Sequence, residues 1–359
     1  MRHSLLRLSV LALLLMVKMA VFGQSFWIDD IRYEVLPESE KTVKVIGVDY
    51  SIGQVVTVPD KIEYEGITYQ VSEIASMSKA SIKKITLPNS IKAIGCNAFR
   101  GCTNLESINL PNNIISIGGG AFEDCEKLES VILPSNISII ESGIFDGCKS
   151  LKSLSIPNGV TSIGSCAIRD CESLESIIIP NTVTVIEDDV FAGCKSLKEI
   201  ELPSGLEKVE NYLFDGCIAL ESIIIPKNVV KIFWGAFRNC QNLTSVTLNC
   251  GLKIIDNGAF EGCCSLIKIS LPEGLTSIGG SAFSGCTSLE SLTIPNSVSS
   301  LGSHAFLDCK NISSIVIPTS INSISDFLFN GCSNLKSIKL HEGLLEIGSG
   351  AFITVFRDL

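Results

Sequence analysis

The sequence predicts a repeat solenoid: coils of 23 residues stacked on one continuous core, with a parallel β-sheet along one side and short helical or irregular turns between strands. Three observations carry that prediction. Pro88, Pro111, Pro134, Pro157, Pro180, Pro203 and Pro226 stand 23 residues apart, and Pro272, Pro295 and Pro318 resume the register after one substituted position. Eleven of the 15 cysteines, from Cys102 and Cys125 to Cys309 and Cys332, keep the same step. From Pro88 to Leu340 there are 253 residues, which is eleven units with no insertion or deletion. The two globular domains that a length of 359 residues would otherwise suggest are therefore not expected.

Residues 1–23 read as a cleavable signal peptide. Arg2 and Arg7 precede the apolar run Leu8 to Val17, and Val21, Phe22 and Gly23 offer a cleavage site before Gln24. Lys18 cuts the run short of the roughly 20 residues a membrane-spanning helix needs, and no other stretch is long and apolar enough. The expected location is outside the cell, secreted or at the cell surface. Removing the leader takes away three cations and no acid, so the formal charge falls from −10 to −13. That balance excludes nucleic acid as a partner, because phosphate contacts require clustered Lys and Arg.

Residues 24–73 lack the repeat. Ile31 to Val35, Thr42 to Ile46 and Ile67 to Val71 alternate apolar and polar residues, with Glu65-Gly66 as a turn, and predict a small β-rich N-terminal cap over the open end of the core. Residues 74–352 form the predicted solenoid, beginning with a shortened repeat in which Ile82, Ile85 and Leu87 anticipate Leu105, Ile108 and Leu110. In each unit the last three columns give one short strand, and Pro, which cannot donate to a ladder, ends it. Ala98, Phe99, Cys102 and Leu105 fall near i, i+1, i+4 and i+7, the spacing of a short helical turn with one buried face. The residue before each column cysteine is Gly seven times, Asp three times and Asn once, which predicts a left-handed backbone there.

With Ile-Gly-x-x-Ala-Phe-x-x-Cys-x-x-Leu-x-x-Ile in each unit and Leu-Pro after the strand, the chain resembles the BspA-like leucine-rich repeat family from Ile74 to Phe352. The resemblance implies a secreted or surface-exposed bacterial solenoid that binds host or neighbouring-cell proteins. Departures are local: Asn249 and His341 replace Pro, Ile168 replaces Phe, and Phe233 replaces Gly beside Trp234.

Catalysis is not expected. It requires different residues at one convergent point, and after the leader only His304 and His341 remain, 37 residues apart and in different columns. Asp188-Asp189 and Asp29-Asp30 read as solvated turns, and Gly118-Gly119-Gly120 lacks the setting of a phosphate loop. No cofactor or metal is expected. Successive column cysteines are close enough for a disulfide, yet stacked side chains point the same way, and a reduced buried ladder is the favoured reading over one or more bridges. Cys96, Cys166, Cys250 and Cys264 lie off the column; Cys250, beside the substituted proline position, is the candidate exposed thiol.

Residues between the inward columns form the solvent face of the sheet. Its middle column is Ser in nine of eleven coils. The first column holds Glu129, Glu175, Glu221 and Glu290 among lysines, and the last holds Ile132, Ile178, Ile224 and Val316. These eight residues are the predicted binding stripe for an extracellular protein or glycan, in adhesion or host and neighbour-cell contact. The alternative is a structural or display spacer without a specific ligand. The unit breaks off after Phe352 and residues 353–359 read as an irregular end, which raises truncation or self-association through an uncapped face as expectations.

Overall fold

The computed structural model describes residues 23–37, 41–49, 52–78, 81–353 and 355. The expected leader lies outside these residues, apart from Gly23, as does most of the expected irregular C-terminal end. The chain is a parallel solenoid of about 12 turns. Among the described residues there is no helix, and no helix long and apolar enough to cross a membrane.

The N-terminal segment is β-rich, as the alternation requires. Strands β1 (Ser25–Ile28), β2 (Ile31–Val35) and β3 (Thr42–Val48) pair antiparallel in sequence. Beyond them come β4 (Val55–Thr57), β5 (Lys61–Tyr64) and β6 (Ile67–Ile74). Strands β5 and β6 form a hairpin whose turn residues Glu65 and Gly66 both have positive φ, the backbone a tight two-residue turn demands. This sheet grows straight into the coils. Strand β6 pairs in parallel with Ala93–Ile94, and β4 pairs in parallel with Lys84–Thr86. The ladder of coils thus already starts at Val55. Phe26 stacks on Tyr64 at 3.9 Å and contacts Tyr33 and Tyr69, closing the core at this end.

Most coils carry two strand columns, where the sequence suggested one. The expected column runs through Ser107–Asn109, Ser153–Ser155, Ser176–Ile178, Ser222–Ile224, Ser245–Thr247 and Ser314–Val316. The second consists of two-residue strands such as Ser116–Ile117, Ser162–Ile163, Lys231–Ile232 and Ile254–Ile255, paired coil to coil. Two residues are too short to display alternation, so the pattern Ile-x-x-Ile hid this column.

The expected helical turn is also corrected. Between Gly95 and Cys102 alternate N–H groups point in different directions. Those of Ala98, Arg100 and Cys102 donate to the carbonyls of Gly95, Asn97 and Phe99 three residues back, while those of Asn97, Phe99 and Gly101 donate to Gly119, Ala121 and Glu123 of the next coil at 2.8–2.9 Å. A helix would keep every bond within the segment. Here half the donors stitch coils together, so the turn acts as a third ladder. Two left-handed positions per turn make this possible. The column from Gly101 to Gly331 has positive φ throughout, as its Gly, Asp and Asn content predicts. A second column four residues earlier, including Asn97, Cys166, Asp189, Tyr212, His304 and Phe327, is left-handed as well.

The core follows from the columns. Ala, Phe, Cys and Leu of each unit are essentially inaccessible, with Leu105, Ile108 and Leu110 and their equivalents beneath the sheet. Phenylalanines stack along the axis at centroid spacings such as 5.3 Å for Phe99 on Phe122 and 5.2 Å for Phe237 on Phe260, interrupted where Ile168 stands. Column thiols are free. Each donates to a Phe-column carbonyl of the preceding coil, as in Cys125 to Phe99 at 3.3 Å and Cys217 to Phe191 at 3.1 Å, except that Ile168 is the acceptor for Cys194 and Met77 for Cys102. The reduced ladder is therefore satisfied without bridges. Charged ladders run outside: Arg169 grips Asp146 through Nε at 3.0 Å and Nη2 at 2.5 Å, and Arg238 grips Asp215 in the same way.

Candidate functional site

On the outer side of the first strand column every second residue faces solvent, because the pleat sends neighbours to opposite faces. The four expected apolar positions are all open: Ile132 is 83% exposed, Ile178 69%, Ile224 70% and Val316 53%. Neighbouring side chains do not cover them. Glu129, Glu175, Glu221 and Glu290 are exposed beside them. Lys152 reaches Glu129 at 2.9 Å, the expected alternation of charge along the stack.

The structure gathers only part of this stripe into one place. The sheet is not continuous. Its ladder lapses at three places, between Ser130 and Ser153, at residues 199–201 between Ser176–Ile178 and Ser222–Ile224, and between Ser291 and Ser314. Glu199 stands in the serine column at the second of these, although bulk alone does not break a ladder, since Lys268 in that column pairs with Ser245. Over that gap lies a groove of about 640 Å³, walled by Ile178 and Ile224 and lined by Ser176, Ser222, Glu199 and Glu201, with Lys227 at one end. A smaller depression of about 420 Å³ continues it past Glu175, Lys198 and Glu221. Four carboxylates therefore face two ammonium groups. Ile178, Ile224, Glu175 and Glu221 share this groove; Ile132 with Glu129, and Glu290 and Val316, lie coils away from it. Glu199 and Glu201 were not singled out by the sequence reading, because their coil obeys the same repeat as its neighbours.

No histidine lines the groove, and among the described residues no cluster of His, Cys, Asp or Glu could hold a metal ion. The column thiols are poor nucleophiles, since burial pushes them far up, as for Cys171 and Cys240, and raises even Cys332 near the end of the stack to about 12. Off the column, Cys250 is exposed, and so is Cys96; Cys166 and Cys264 are half-buried.

A parallel solenoid with two strand columns in most of its 23-residue coils defines a leucine-rich repeat protein. The model of the BspA type leucine rich repeat region matches residues 71–186, 167–268 and 253–355, and the chain belongs to this family. Among solved structures, a leucine-rich repeat protein from Bacteroides ovatus is 31% identical with a TM-score of 0.78, over 92% of this chain and 80% of that one. A leucine rich cell surface protein from Faecalibacterium prausnitzii shares the fold at 23% identity and a TM-score of 0.51, covering 88% and 94% of the two chains. The pneumococcal vaccine antigen PcpA does so at 24% and 0.56, covering 92% and 88%. No curated protein matches the chain.

Proposed function

We propose that this is a secreted or cell-surface binding solenoid without enzymatic activity, and that it captures an extracellular protein through the grooved part of its sheet. The observation that carries the reading is the pairing of two exposed isoleucines across one acidic groove. Large exposed apolar side chains at adjoining positions, rimmed by charge, are how a protein interface presents itself on a single chain. Ile178 and Ile224 supply the apolar anchors. Glu175, Glu199, Glu201 and Glu221 select a partner carrying basic residues and speed its approach.

The double variant Ile178→Lys with Ile224→Lys tests it, by surface plasmon resonance against purified extracellular-matrix and mucosal proteins. The expected result is saturable binding of at least one by the wild type, weakened at least tenfold in the variant at unchanged thermal stability. Equal binding by a folded double variant overturns the groove as the site. Absence of any saturable partner, together with lateral self-assembly, favours the spacer.

A further inference from the structure

A second surface departs from the repeat on the turn that follows the short strand column. The three positions there hold Gly, Ser, Asp, Asn, Glu or Cys in most coils, but Tyr212 occupies them in one coil and Phe233 with Trp234 in the next. Tyr212 accepts a left-handed backbone, φ 52°, to stand there. That conformation belongs to the repeat, since the same column is left-handed in every coil, so the ring and not the backbone sets this coil apart.

The rings form a platform with only one member free. Arg238 covers Tyr212 at 4.8 Å and Lys231 covers Phe233 at 4.1 Å. Both cations are held in turn, Arg238 by Asp215 and Lys231 by Asp256. Trp234 leans on Tyr212 at a centroid distance of 5.8 Å, carries no cation, and is 54% exposed. A cationic ligand would compete with cations already in place, so the open ring suits a neutral one.

Polar groups converge beside that ring. A Cβ built at Gly258 in the following coil would stand 3.7 Å from Trp234 Nε1 and 3.1 Å from Glu261 Oε2. Trp234 Nε1 and the Glu261 carboxylate therefore both border the bare backbone of Gly258, a donor and an acceptor beside one glycine. Neither Trp234 Nε1 nor the Glu261 carboxylate has a hydrogen-bond partner among the described residues, and the Tyr212 hydroxyl has none either. An apolar plate bordered by an unspent donor, an unspent acceptor and a hydroxyl complements a ring with an apolar C–H face and a rim of hydroxyls.

We propose that Trp234, Tyr212 and Glu261 form a carbohydrate-binding site, in which a pyranose stacks on the Trp234 indole, its hydroxyls bonding to Nε1–H and to the Glu261 carboxylate. This site is separate from the sheet groove and does not depend on it.

The chain has two tryptophans, Trp27 and Trp234, so the variant Trp27→Phe leaves Trp234 as the single indole emitter. Trp27 is itself exposed, so this change spares the core. The full-length Trp27→Phe protein is titrated with methyl glycosides of glucose, galactose, mannose, fucose and N-acetylglucosamine, and with chitohexaose and maltohexaose. Expected is a saturable change in indole emission with at least one sugar below about 20 mM, where a millimolar site is filled. Calorimetry with the same sugar then shows at least tenfold weaker binding in Trp234→Ala and Glu261→Ala, and unchanged binding in the Ile178→Lys, Ile224→Lys variant. No saturable response to any of these sugars overturns the proposal, as does equal binding by a folded Trp234→Ala. A response to a leucine-containing peptide but to no sugar also overturns it, in favour of an apolar peptide site.

Discussion

The ring of Tyr212 lies across the backbone of Gly235 in the next coil: a Cβ built on Gly235 would stand 2.6 Å from Tyr212 Cδ1 and Cε1. Both residues are left-handed, Tyr212 at φ 52° and Gly235 at φ 59°. Phe327 and Gly350 repeat the relationship, with Phe327 Cε1 at 2.5 Å from a Cβ on Gly350. Tyr212 and Phe327 thus each occupy a left-handed site over a glycine of the following coil, whereas left-handed His304 stacks on Phe327 instead.

Gly235→Ala should therefore destabilise through two effects at once, a left-handed alanine and a clash with a ring pinned by Arg238. The backbone term alone is about 1–2 kcal/mol. Thermal and urea unfolding of Gly235→Ala, Tyr212→Ser and the double variant separate the effects. The expected outcome is strong coupling: much of the Gly235→Ala loss returns when Tyr212 is shortened, leaving the backbone term. Additive losses would mean that the ring swings aside and the contact is not restrictive.

The column thiols make alkaline stability a property of the whole stack. Burial raises ten of them, from Cys125 to Cys332. The unfolded chain ionises its thiols near pH 8.5. Above that pH the native state binds more protons than the unfolded state, so stability falls as pH rises. Below it this contribution is fully present. Each thiol ionised only in the unfolded chain removes about 1.4 kcal/mol per pH unit. Tyr33, raised to about 12 by burial and by Asp29, acts in the same direction at higher pH. The melting temperature should drop steeply between about pH 9 and 11, and native alkylation followed by peptide mapping should label Cys250 and Cys96 first. A melting temperature flat across that range, or column cysteines alkylated as fast as Cys250, would contradict the buried ladder.

The register of the solenoid was legible because each inward column repeats its chemistry coil after coil, so errors in any one position cancel. What failed to show has physical reasons. The spacing of Ala98, Phe99, Cys102 and Leu105 fits a helical face, yet a turn that steps by three residues buries the same side chains while sending its other N–H groups to the next coil. The left-handed backbone of Tyr212 and Phe327 was hidden because neither side chain favours it; the permissive residue is the glycine one coil further on. Ile178 and Ile224 could be placed on the solvent face from alternation alone. The groove between them could not, since Leu197 to Pro203 matches the repeat as well as any coil that keeps its ladder.

Ile168 is where the phenylalanine stack is cut. Phe145 on one side and Phe191 on the other each stack only away from it, on Phe122 at 5.5 Å and Phe214 at 5.3 Å. Ile168 is fully buried, so Ile168→Phe could either overpack the core, at about 1–3 kcal/mol, or complete the stack. The neighbours decide between these. Ala167 and Cys171 are the small residues that flank phenylalanine in most other coils, phenylalanine is kept even beside the larger Ile144 and Val190 of the adjoining coils, and the coil spacing is the same 23 residues, so the space for a ring is built into the repeat. Two new stacked contacts are worth about 0.5–1.5 kcal/mol each. Ile168→Phe is expected to raise the unfolding midpoint by a few degrees, whereas Phe237→Ala, which opens a gap in the continuous part of the stack, should cost about 3–5 kcal/mol. A lowered midpoint for Ile168→Phe would show that the coils around it have closed over the smaller side chain.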